Sequence, residues 1–153
     1  MSTKTLWCNV VDYEPSHFNA IVEIMRTCLD EHWSPEMVSR IIGMPGIRCK
    51  VAVKRGTLHG FAFYQVNQGF AEIKTLLVNE PCRRRHIGRQ LLSGILLSLT
   101  DSIAMTSVCL ADNEAGMAFL RANGFKARRI NRSAYDGRDT FTMVWKIKFN
   151  ECG

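Results

Sequence analysis

Residues 70–99, FAEIKTLLVNEPCRRRHIGRQLLSGILLSL, hold the pattern on which the fold turns. Phe70 to Val78 is rich in β-branched and apolar residues, as a strand is. Ile87, Leu91, Leu92, Ile95, Leu96 and Leu99 recur at the spacing of one helix face. Between strand and helix stand Arg83, Arg84, Arg85, His86, Gly88 and Arg89. A helix start carries unpaired backbone N–H groups and the positive end of the helix macrodipole, so it takes anions readily. The N–H groups from Arg84 to Arg89 can point at one anion, and the guanidinium groups can add bidentate contacts. Gly88 lets backbone approach a bulky pyrophosphate with no Cβ in the way. The same run also suits a plain solvated surface. Nucleic-acid binding is disfavoured, because no aromatic residue is interleaved with the basic ones.

The rest of the sequence describes what surrounds this crossover. The 153 residues are enough for one domain with a buried core, expected to span 1–153. A net charge of +6 favours anionic partners without choosing among them. The 6 cysteines form no C-x-x-C pair and no zinc spacing, so the expectation is a reducing, cytoplasmic setting with no metal. The start, MSTKTLWCNVVDYE, lacks the apolar core of a signal peptide, and no run is long enough for a membrane span.

Leu6 to Val11 reads as a first strand. Ser16 is placed to cap a helix bearing Phe18, Ile21, Val22, Met25 and Leu29, and Ser34-Pro35 starts another that ends at Gly43. Ile47, Cys49, Val51 and Val53 alternate with polar residues, and turns at Gly56 and Gly69 lead through Leu58–Val66 into Phe70–Val78, an antiparallel meander. After the crossover helix come a strand, Ile103–Ala111, a helix, Asn113–Asn123, closed by Gly124, and a strand, Phe125–Ile130. Asp136-Gly137 opens a hairpin into a last strand on which Phe141, Met143, Trp145, Ile147 and Phe149 alternate. The class is therefore α/β, an α+β mixed sheet: mostly antiparallel, one parallel crossover pair, helices on both faces.

With those elements in place, two segments carry a resemblance. Val78, then Arg83-Arg84-Arg85-His86-Ile87-Gly88, then Leu91-Leu92 resemble the acetyl-CoA loop Q/R-x-x-G-x-G/A of the GCN5-related N-acetyltransferase (GNAT) superfamily. NEAGMAFLRANGF, Asn113 to Phe125, is similar to that family's N-x-x-A-x-x-F-Y-x-x-x-G-F. The resemblance implies acetyl-CoA as co-substrate. It would be held by Leu76, Leu77 and Val78 through their backbones, by Arg83, Arg84, Arg85, His86, Ile87, Gly88 and Arg89 at the loop, and by Asn113 and Phe119. It also exposes departures. His86 replaces the first motif glycine. Since a helix start takes negative φ, the expectation is an ordinary backbone there, with the ring turned aside. Leu120 stands where many relatives carry a proton-donating tyrosine, and Val108 where ribosomal-protein acetyltransferases carry a glutamate base.

Acetyl transfer needs an amine without its proton, so a base is required. Glu72 occupies the place of the basic glutamate in the histone acetyltransferases that FAEIKTLLV resembles. Strand alternation puts it on the face of Lys74, where an ion pair is the plainer role. Tyr135 is the candidate acid. The acceptor is expected to be an amine: a protein N-terminus, a lysine or a small molecule. Two other readings compete: a toxin acting on aminoacyl-tRNA, for which the basic cluster Arg128, Arg129, Arg132 and Arg138 is suited, and a non-catalytic acyl-CoA- or partner-binding protein. Either a monomer or a homodimer fits the alternating last strand.

Overall fold

The structure, a computed structural model, describes residues 7–29, 34–79, 86–99 and 104–146. Its elements run β1 (Asn9–Asp12), a 3₁₀ turn (Pro15–His17), α1 (Phe18–Cys28), α2 (Pro35–Ile42), β2 (Ile47–Lys54), β3 (Thr57–Asn67), β4 (Phe70–Val78) and α3 (Ile87–Leu97). Then follow β5 (Ala104–Leu110), α4 (Glu114–Ala122), β6 (Lys126–Tyr135) and β7 (Arg138–Lys146). The strands form one sheet in the order β1-β2-β3-β4-β5-β7-β6. β4 and β5 are parallel, while β1–β2, β2–β3, β5–β7 and β6–β7 are antiparallel. This is the mixed sheet that the strand–helix–strand passage calls for, since only a crossover can bring two successive strands parallel.

By internal contacts the chain divides into two compact units, residues 1–65 with 75–100 and residues 66–74 with 101–153. In the first, alternation along β2 and β3 sends side chains to two different cores. Val51, Phe61 and Phe63 pack with Ile21, Met25 and Val38 of α1 and α2. Ala52 packs on the opposite face with Cys8 and with Ile87 and Leu91 of α3. Helices therefore cover both faces of this part of the sheet. In the second unit α4 leans on β5 and β7, where Gly116 approaches Cys109 and Gly124 approaches Trp145.

Three local readings change. Ser16 is not the cap of α1: Pro15 to His17 form a 3₁₀ turn first, and the Glu14 N–H donates to His17 Nδ1 at 3.0 Å. β1 begins at Asn9, beyond Trp7 and Cys8, and Leu6 lies outside the described residues. β6 does not stop at Ile130 but reaches Tyr135. The extension lacks apolar alternation and is held by side chains. Asn131 Nδ2 donates to Thr140 Oγ1 and Thr142 Oγ1, and the Ser133 N–H donates to Asp139 Oδ1 at 2.8 Å. Ser133 adopts φ 51 in the irregular stretch between the Asn131–Thr140 and Tyr135–Arg138 pairs. The alternation expected through Ile147 and Phe149 lies outside the described residues.

Gly94 of α3 gives a test of how tightly this crossover helix is seated. A Cβ there would overlap Val10 Cγ1 of β1. In an open helix, Gly→Ala stabilises by up to about 1 kcal/mol, whereas overpacking costs about 1–3 kcal/mol. Gly94→Ala is therefore expected to destabilise in urea unfolding, and Val10→Ala in the same chain to restore much of the loss.

Candidate active site

The carboxyl end of β4 is built for close approach. The Asn79 N–H donates to the His59 carbonyl at 2.8 Å, continuing β3 alongside β4 to its end. At Gly60 a Cβ would sit 3.0 Å from the Leu77 carbonyl oxygen, 3.3 Å from Ile87 Cγ2 and 3.4 Å from Val78 Cα. Gly60 thus lets β3, the end of β4 and the first turn of α3 meet. Leu76 and Val78 pack toward Ile87 and Leu91, while Leu77 faces the α1 side. The parallel β4–β5 ladder runs from Phe70–Ala104 to Ile73–Ser107. It stops short of Leu76, which leaves the last β4 residues without a β5 partner in that ladder.

His86 sits at the N-cap of α3 with φ 57 and ψ 23, a left-handed conformation, and its side chain makes no cap hydrogen bond. This corrects the expected negative φ. The residue before the helix reverses the chain, and the first helical residue is Ile87. A left-handed backbone explains why a glycine suits this motif position, since a Cβ there costs on the order of 1–2 kcal/mol. The first helical bond goes from the Gln90 N–H to the His86 carbonyl, at 3.0 Å. The N–H groups of Ile87 and Gly88 precede it and have no acceptor within the helix among the described residues. Ile87 and Gly88 are buried and Arg89 is exposed. Arg83, Arg84 and Arg85 lie outside the described residues.

Neighbouring side chains fix this end. The buried Cys8 thiol donates to Gln90 Oε1 at 2.9 Å, and burial pushes its pKa up, so it stays protonated as the bond requires. His59 meets Trp7 edge-on at 5.0 Å between centroids, and Lys54 Nζ lies 4.1 Å above the Trp7 ring. Burial, with Lys54 adding, pulls the His59 pKa down, so this imidazole brings no positive charge at neutral pH. Sequence reading missed Gly60 and Cys8. A glycine inside a strand pattern was the signal available for the first.

In the second unit, Glu72 Oε1 pairs with Lys74 Nζ at 2.9 Å, and the Glu72 side chain is 29% exposed. The register sets Glu72 beside Thr106, so Val108, two residues on, shares that sheet face and is 54% exposed. Leu120 is buried in α4, and its carbonyl accepts from the Phe125 N–H at 3.0 Å. Asn113 caps α4, with Oδ1 accepting from the Gly116 N–H at 3.0 Å, and Phe119 is half-buried. Tyr135 ends β6 opposite Arg138, half-exposed. Arg138 Nη2 donates to both carboxylate oxygens of Asp112, at 2.7 and 2.9 Å, and those bonds raise its pKa further. The turn end of the hairpin is thereby tied to the loop that leads into α4. Among the described residues, no group of His, Cys, Asp and Glu could hold a metal ion, and no helix is long and apolar enough to cross a membrane.

The chain belongs to the acetyltransferase (GNAT) family, whose model matches residues 18–125. No curated protein matches it in sequence. Among solved structures it is similar to the ribosomal-protein-S18-alanine N-acetyltransferase of Escherichia coli, at TM-score 0.80 and 21% identity over 95% of this chain and 97% of that one. Arabidopsis thaliana NAA60 in complex with acetyl-CoA gives TM-score 0.78 and 17% identity over 92% and 98%. An aminoglycoside 6'-N-acetyltransferase complexed with coenzyme A gives 0.79 and 15% over 94% and 99%. At these identities the likeness is one of fold, and the fold is that of N-acetyltransferases.

The left-handed N-cap can be tested directly. His86→Gly is expected to be about 1 kcal/mol more stable than His86→Ala, because only alanine keeps a Cβ in that conformation. Urea unfolding of the two variants measures the difference, and equal midpoints would contradict the assigned backbone.

Proposed function

We propose that the chain transfers an acetyl group from acetyl-CoA to a primary amine, directly, within a ternary complex. The observation that carries this reading is the start of α3. The N–H groups of Ile87 and Gly88 stand at a helix end that no side chain of its own caps, beside a strand end that runs past its parallel partner. An anionic diphosphate fits the first feature, and the amides of an extended pantetheine arm fit the second. Arg83, Arg84, Arg85 and Arg89 would supply charge to the pyrophosphate. The family resemblance also assigns Asn113 and Phe119 to the cofactor. The whole chain, 1–153, would act as one cytoplasmic domain.

In this reading Glu72, oriented by Lys74, takes the proton of the acceptor amine, directly or through water. The amine nitrogen attacks the thioester carbonyl carbon. The Leu76 N–H stabilises the oxygen as charge develops there, a contribution of the oxyanion-hole kind. The carbon–sulfur bond then breaks, and the CoA thiolate takes a proton from Tyr135 or water. The proton lost from nitrogen then rests on Glu72, and the one gained by sulfur has come from Tyr135 or water. Exchange through solvent returns it, so that amine and acetyl-CoA become amide and CoA thiol with both groups restored. The solved relatives include one named for a ribosomal-protein alanine and one for aminoglycosides, so protein N-termini and small amines are the first acceptors to try.

The apolar Val108 and the buried Leu120 favour a second reading, a cofactor-binding protein without turnover. One variant separates the two. Glu72→Gln is expected to lower the rate of CoA release by roughly a hundredfold or more, the usual worth of a general base, with acetyl-CoA affinity retained. Turnover that survives unchanged would remove Glu72 from the mechanism. No turnover by the parent chain on peptide and small-amine panels, despite tight acetyl-CoA binding, would favour the non-catalytic protein.

A further inference from the structure

Within the first unit, at the end of α3 away from His86, there is a cavity of about 450 Å³. At 1.5 Å per residue, Ser98 on its wall lies roughly 18 Å along the helix from His86, so the cavity is not the cradle at the helix start. It exists because β1 is short. β1 ends at Asp12, opposite Lys50, and no β1 residue pairs with Ile47 or Arg48 of β2. That leaves a notch in the sheet edge.

The chemistry of the notch is that of an anion site. Arg48 and Lys50 are two apart on β2 and so share a face. The Lys50 side chain is only 11% exposed, yet its counter-ion Asp12, 2.6 Å from Nζ, is 81% exposed. A buried ammonium whose ion-pair partner among the described residues stands out in water is an asymmetric arrangement, in which a ligand anion can replace the outer carboxylate and keep the buried charge compensated. Two of the three Lys50 N–H donors have no protein acceptor among the described residues. Arg48 is exposed and makes no hydrogen bond or ion pair among them. A further donor comes from the floor of the notch. Ser98 Oγ gives its one proton to the Ile95 carbonyl at 2.8 Å, so the Tyr64 hydroxyl must be the donor across the 3.4 Å to Ser98. That contact is long, so redirecting the Tyr64 proton to an anion forfeits little. Ile42 and Ile47 form an apolar wall.

We propose that this notch binds a small ligand with an anionic head, a carboxylate or phosphate monoester, on a short apolar body. Arg48 and Lys50 take the head, Tyr64 adds a hydrogen bond, and Ile42 and Ile47 cover the body. The site is separate from the acetyl-CoA cradle and does not depend on what the cradle holds.

Calorimetric titration of the full chain with benzoate, phenyl phosphate and neutral benzamide tests this, with and without saturating coenzyme A. One molecule of benzoate or phenyl phosphate is expected to bind per chain, and the tighter of the two identifies the head group. Benzamide should bind at least about tenfold more weakly, and coenzyme A should not compete. Lys50→Met and Arg48→Ser should each weaken the better anion about tenfold or more, the cost of one charged hydrogen bond. Arg48 is exposed, so its variant keeps the fold and reads the site even if Lys50→Met does not. The proposal is overturned if neither anion binds by about 10 mM, if benzamide binds as well, if coenzyme A displaces the anion, or if Arg48→Ser keeps full affinity.

Discussion

The amino end of α3 is where stability and chemistry meet. Its N-cap is left-handed and caps nothing with its side chain, so the helix opens with backbone donors, those of Ile87 and Gly88, that have no acceptor within the helix among the described residues. Such an end is tolerable because the packing beneath it outweighs the strain. Ile87 and Leu91 are essentially fully buried, and burying each contributes about 1.5–3 kcal/mol against about 1–2 kcal/mol for the left-handed residue. Gly60 lets the helix and two strands approach to that contact, and the Cys8–Gln90 bond clips the chain's start to the same turn. The apolar face holds the helix in place, and the polar end stays open for a ligand.

The same division explains what could be read without coordinates. The crossover helix, the parallel pair and the turn at Asp136-Gly137 announce themselves because they rest on period and on turn chemistry, both local. The Glu72–Lys74 pair was legible for the same reason, since alternation along one strand decides it. His86 was misread because a residue that precedes a helix ordinarily keeps negative φ, as Ser34 and Asn113 do, whereas this one is left-handed. The glycine of the family motif was the clue. The reach of β6 to Tyr135 was hidden because its ladder is stitched by Asn131 and Asp139 rather than by alternating apolar residues. Close approaches at Gly60 and Gly94 depend on partners far along the chain, and no local pattern encodes those.

The notch at Lys50 shows a related limit. Its residues are an alternating strand pair, a tyrosine and a helix-terminal serine, none of which forms a motif. What makes them a site is the early end of β1, which uncovers one side of β2. Only the ladder register places Lys50 against the last residue of β1 and Arg48 beyond it.

On the proposed reaction, the departures at Leu120 and Val108 bear on the acceptor. A tyrosine at Leu120 would have to bury a hydroxyl or leave the core, so the leucine is consistent with α4 serving packing there. Losing that acid matters little to the leaving group, because a thiol ionises near pH 8.5 and its anion departs without much help. The nucleophile is the harder problem. An α-amino group ionises near pH 8 and a lysine near pH 10.4, so freeing the lysine costs about 3 kcal/mol more. A single carboxylate already engaged by Lys74 is better matched to the smaller of those demands. Sparse acid–base equipment therefore favours an α-amine, or another amine of low pKa, over a lysine side chain.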